Sequence, residues 1–93
     1  MPQVVCKFIK KFPTVSGESV NGHWERTQFL ARTMDDNQRL VGFTLNGERR
    51  SHDVDNVQPQ QVIMVRYVPE TREHGDRIYT DLVCMGIEVL QHN

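Results

Sequence analysis

Ser51, His52 and Asp53 supply, in successive positions, the three residue types of a hydrolytic relay: a nucleophile, a base and an orienting carboxylate. Adjacent residues on an extended chain point to alternate sides, so none of the three can hand a proton to the next. The four histidines, at positions 23, 52, 74 and 92, form no HxH or HxxxH pair that would turn two rings onto one metal. His23 and His74 fall in loop-like stretches that a closed sheet can bring to one end, but two ligands make a weak site; both read as solvated loop side chains, and His92 as tail. Asp35 and Asp36 suit a turn, and the remaining carboxylates are too dispersed for the facing pair of a glycosidase or nuclease. No GxxxxGK[ST] or GxGxxG run is present to cradle a nucleotide phosphate. The expectation is a protein that is not an enzyme and uses no metal or cofactor.

Cys6 and Cys84 are each embedded in a β-like run and belong to no CxxC pair. They read as two buried free thiols, although first and last strands brought together in a closed sheet leave a disulfide open. The 11 Lys and Arg against 12 Asp and Glu set up no global field that would draw in nucleic acid or an acidic membrane, so any basic site must be local. Neither a signal-peptide h-region nor an apolar run long enough to span a bilayer is found, and the expectation is a cytoplasmic protein without a membrane partner. At 93 residues the chain has room for one modest core, which favours surface grooves over a deep pocket and predicts one domain over 1–93.

The elements that must position any site read as strands. Residues 4–12 are β-branched and aromatic residues punctuated by lysine, ended by Pro13. Thr14 to Gly22 is rich in turn formers and reads as a sizeable loop instead of a tight hairpin. Residues 23–34 alternate, with Glu25, Thr27, Phe29, Ala31 and Thr33 on one side and Trp24, Arg26, Gln28, Leu30 and Arg32 on the other. A turn at Asp35-Asp36-Asn37 leads to a third strand, 39–45, with Val41, Phe43 and Leu45 inward; Asn46-Gly47 closes it. The polar stretch from Glu48 to Gln60 predicts a helical turn or irregular crossover. A fourth strand, 61–68, carries Ile63, Val65 and Tyr67 inward and stops at Pro69. Glu70 to Arg77 reads as a charged loop. The last strand, 78–90, is expected to turn Thr80, Leu82 and Cys84 inward and Tyr79, Asp81 and Val83 outward, with a bulge at Gly86 and fraying over 91–93. Five strands with a crossover between the third and fourth is the element order of an OB-type barrel.

Two stretches sharpen that reading: Phe12-Pro13-Thr14-Val15-Ser16-Gly17-Glu18-Ser19 with Gly22-His23-Trp24 and Phe29, and Thr71-Arg72-Glu73 with Arg77-Ile78-Tyr79-Thr80-Asp81-Leu82. Together they resemble a small bacterial domain family of unassigned function whose members are similar to OB-fold single-stranded-DNA-binding proteins, over 7–89. The resemblance implies a fold and a broad binding role. The chain departs from it at His74 and Ile78, where the family places aromatics in the last hairpin, and at Gln60-Gln61, where it has Gly-Asp. Each lost stacking platform costs about 1–3 kcal/mol per base.

OB domains bind nucleic acid on the face of their second and third strands and on the first and last hairpin loops. That surface is expected to carry Lys10, Trp24, Arg26, Arg32, Arg39, Arg72, Arg77 and Tyr79: cations for phosphates, two aromatic faces for bases. Trp24 has a second reading, packed beneath the loop before it. Glu25, Glu70, Glu73, Asp76 and Asp81 fall close to these cations in sequence and repel phosphate, so two partners remain open. One is single-stranded nucleic acid, DNA before RNA, held weakly; the other is a protein, with the chain as an adaptor. A homodimer is the further expectation, since a groove shared by two barrels offsets modest affinity.

Overall fold

A computed structural model describes residues 2–91; Gln91, expected to fray, instead pairs with Val62 in the last strand, and His92 and Asn93 lie outside the described residues. Among the described residues the chain forms β1 (Gln3–Lys11), β2 (Val15–Ser19), β3 (Gly22–Thr33), β4 (Leu40–Asn46), β5 (Val62–His74) and β6 (Arg77–Gln91), with a single 3-10 turn at Arg50–His52 in the crossover. β1 pairs antiparallel with both β3 and β5, β3 with β4, and β5 with β6. The one parallel contact, Thr44 opposite Val83, joins β4 to β6 and closes the ring β1–β3–β4–β6–β5. This is an all-β barrel of the OB type, and β2 is an extra strand hung on the outer side of β3.

Period-2 alternation drives the ring shut. Phe29, Ala31, Phe43, Leu45, Ile63, Val65 and Cys84 are buried as their spacing predicts, and Val41, Tyr67 and Leu82 pack against them half-buried. The Phe8, Phe29 and Phe43 rings follow one another at 5.8 and 5.2 Å, and Tyr67 lies 5.7 Å beyond Phe43. Cys6 and Cys84 are both buried and free, and burial pushes each thiol up to about 11, which keeps them unreactive at neutral pH. Arg66 opposes Gly86 and Tyr67 opposes Cys84, so Met85 is the unpaired bulge residue beside the glycine.

Four expectations need correction. Thr14 to Gly22 is not a loop: Val15–Ser19 zips onto Arg26–Gly22 as a tight hairpin, turned at Val20-Asn21 with Gly22 at φ 111°. Glu70 to Arg77 is not a loop either, because β5 and β6 stay paired out to His74 and Arg77. Pro69 does not end β5; the β1–β5 ladder stops at Arg66, so at Pro69 the outer edge of β5 has no neighbour needing an N–H. Thr80 is exposed, bonded to Thr71 at 3.0 Å, while Val83 is buried where β6 meets β4. In all four places both faces of the strand, or neither, meet water, and alternation carries no signal.

Candidate nucleic-acid interface

β3 sets one wall of a surface groove. Trp24 and Arg26 are two residues apart on its outer face, and Trp24 stands opposite Gly17 of β2. A Cβ on Gly17 would lie 2.7 Å from the indole, so glycine is what lets the ring lie flat across the hairpin. Trp24 thus packs on the preceding segment and still keeps 38% of its surface in water. The Arg26 guanidinium sits 5.7 Å from the indole centroid, and the residue is half-buried with Val15 and Asn46 as its cross-strand neighbours.

The projecting ribbon of β5 and β6 forms the facing wall. Arg72 stands opposite Tyr79 and Glu70 opposite Asp81, which puts all four on one face, and Arg72 Nη2 reaches Asp81 Oδ2 at 3.0 Å. Between the walls lies a hollow of about 340 Å³ bounded by Trp24, Arg26, Asn46, Glu70, Arg72 and Asp81. Arg26 also borders an apolar hollow with Phe12, Val15 and Gln28, and Arg72 borders another with His74 and Tyr79. The shared arginines join the three into one track, from Phe12 past Trp24 to Tyr79.

Of the expected site residues, Trp24, Arg26, Arg72 and Tyr79 meet along this track. Lys10 joins at its Phe12 end, 5.2 Å from that ring, and Arg77 sits exposed at the ribbon tip opposite His74. Arg32 and Arg39 do not meet them: they lie at the other end of β3 and beyond its turn, where Arg32 Nη1 donates to Gln38 O at 2.8 Å. Phe12 and Val15 were missed. Two exposed apolar residues flanking Pro13 were the available signal, masked because a strand end and a loop were expected there.

Behind Trp24, Glu25 turns inward to the crossover. It accepts from Ser51 Oγ at 2.9 Å and meets His23 Nε2 and His52 Nε2 at 3.3 and 3.4 Å. His23 also meets Glu18 of β2 at 2.9 Å, and His52 meets Asp55, which holds Lys11 at 2.8 Å. The Ser51 and His23 hydrogen bonds hold the Glu25 carboxyl below its usual range, and Glu18 and Glu25 lift His23 above its own. Ser51 is therefore fully buried against Glu25, not against His52, and the Ser-His-Asp triplet forms no relay. Among the described residues no three or more His, Cys, Asp or Glu side chains gather to hold a metal ion.

The fold and the groove define an OB-type barrel whose β3–β4 face and two hairpins surround one track. No protein-family model and no curated protein sequence matches the chain. Among solved structures, it is similar to the crystal structure of a small single-stranded DNA-binding protein from Streptomyces coelicolor, with a TM-score of 0.53 over 95% of this chain and 89% of that one. At 13% identity this is a likeness of fold.

Proposed function

We propose that this protein is a non-enzymatic, cytoplasmic binder of single-stranded nucleic acid, DNA in preference to RNA, acting weakly and with little sequence preference. The observation that carries the reading is that Trp24 and Tyr79, 38% and 47% exposed, lie along one track with Arg26 and Arg72 between them. Stacking on aromatics is tolerant of sequence, and each base so held contributes about 1–3 kcal/mol. The Arg72–Asp81 pair lies at the surface, with Arg72 exposed and Asp81 half-buried, and surface pairs are worth about 0–1 kcal/mol, so a phosphate can take the place of the carboxylate at small cost. The similar Streptomyces protein is named for single-stranded DNA binding, which agrees with the reading. Two copies sharing a track would gain affinity through linked binding.

Titration of a labelled oligo-dT, with a duplex control, at low and moderate salt tests it. Saturable single-strand binding that weakens with salt is expected, and Arg26→Glu with Arg72→Glu abolishes it without moving the thermal unfolding curve. Unaltered binding in the folded double variant overturns the site. Glu70 and Asp81 on the groove wall favour a second reading, an adaptor for a protein whose charges interleave with these. Absence of binding even at low salt gives that reading precedence.

A further inference from the structure

The opposite end of β3 carries an arrangement that does nothing for stability. Lys7 of β1 stands directly opposite Arg32 of β3, so two cations share one face at cross-strand distance. Like charges so placed destabilise a sheet. Among the described residues neither has a carboxylate within ion-pair reach; Arg32 gives one N–H to the Gln38 carbonyl, and Lys7 has no salt bridge. Lys7 and Arg32 border a cleft of about 290 Å³ together with Thr33, Met34, Gln38 and Gln60.

A second oddity converges on the same cleft. Gln38 and Gln60 have φ of 46° and 76°, and among the described residues they are the non-glycine positions with positive φ. Left-handed backbone at a long side chain is a strained state that persists where the surroundings fix it. Gln38 is fixed by its N–H on Asp35 and its carbonyl under Arg32, and Gln60 by its N–H on Phe8 O at 2.8 Å. Both strained residues therefore flank the uncompensated cations, and both bring side-chain amides that can donate. Asp35 of the turn is already engaged by Thr33 Oγ1 at 2.9 Å and interacts with Arg39.

We propose that the Lys7–Arg32 cleft is a phosphate-binding site, taking a phosphate of the strand that leaves the groove along the outer face of β3. The strand source rests on the function proposed above; the phosphate chemistry does not. Arg32 shares that face with Trp24, Arg26, Gln28 and the half-buried Leu30 at alternate positions, so the same side of β3 runs from groove to cleft.

The test compares the protein with Lys7→Gln/Arg32→Gln on a short oligo-dT that fills the groove alone and on one long enough to reach the cleft. The double variant should bind the long strand about tenfold more weakly, with a salt slope shallower by about 0.7, the share of the one phosphate that the cleft no longer neutralises, and the short strand unchanged. Its melting temperature should hold or rise, because a repulsion has been removed. If the long strand binds as before, with the same slope, the cleft is not a site and the groove stands alone. If neither protein binds any strand, the proposed function fails, and inorganic phosphate titrated at constant ionic strength decides the cleft. Amide shifts at Gln38 and Gln60 that the double variant lacks keep it as a free-phosphate site, and no shifts overturn it.

Discussion

β5 and β6 are one hairpin with two physical lives. From Val62 to Val68, facing Val83 to Gln91, it is barrel wall, with Val62, Ile63, Val65, Val83 and Cys84 buried. From Pro69 to Thr80 every residue is exposed, and the ribbon is held by its ladder, the Thr71–Thr80 hydroxyl pair and the Arg72–Asp81 bridge. A two-stranded ribbon with no covered face is marginal in water. Ile78 and Tyr79 remain 71% and 47% exposed on opposite faces of it, so the apolar surface that ordinarily stabilises a hairpin is turned outward. Residues that hold the fold and residues free to hold a ligand are separated along the same two strands.

The largest effect that tests this separation is in the barrel. Phe29→Ala empties the centre of the ring stack and should cost about 3–5 kcal/mol, whereas Ile78→Ala in the ribbon should stay within about 0.5 kcal/mol, both read by chemical denaturation. Comparable losses would mean that the ribbon is part of the core and break the distinction. Smaller, and in binding instead of stability, is Tyr79→Ala: single-strand affinity should fall by about 1–3 kcal/mol while the melting temperature holds. A fall in both would make Tyr79 a packing residue. The smallest effect is in the pH profile of stability. His23, lifted by Glu18 and Glu25, contributes fully below its ordinary 6.5, and that contribution fades as pH rises through its raised value. Glu25 and Asp55, held low, contribute above their ordinary 4.5 and 3.8 and lose that as pH falls through their lowered values. Denaturation midpoints should therefore level off between pH 4.5 and 6.5, and His23→Gln should remove the alkaline decline.

The two lives of the hairpin also explain what the sequence disclosed. Where one face is buried, as at Phe29 and Ala31 or Ile63 and Val65, alternation gave strand and facing together, and the ring order followed. Where both faces meet water, at Val15–Ser19 and again from Pro69 to Thr80, turn-forming and charged residues hid two paired segments, and Pro69 read as a stop. The site divided the same way. Trp24, Arg26, Arg72 and Tyr79 came together because hairpin pairing gathers them, but outward facing alone could not tell the groove end of β3 from its far end, so Arg32 and Arg39 were grouped with them. Lys7 escaped notice because its cross-strand partner is a matter of register, and no local pattern near Lys7 specifies which residue of β3 it will face.

The ring is also unequal around its circumference. Four of its five seams are antiparallel ladders several residues long, and the fifth is the lone pair Thr44 and Val83. In mechanical terms the barrel is a hoop with one short clasp: stiff against bending across any ladder, compliant in the single direction that spreads β4 from β6. Spreading β4 from β6 would widen the gap between the strand that ends at Asn46 and the ribbon that carries Arg72, so a motion along that seam would open and narrow the groove.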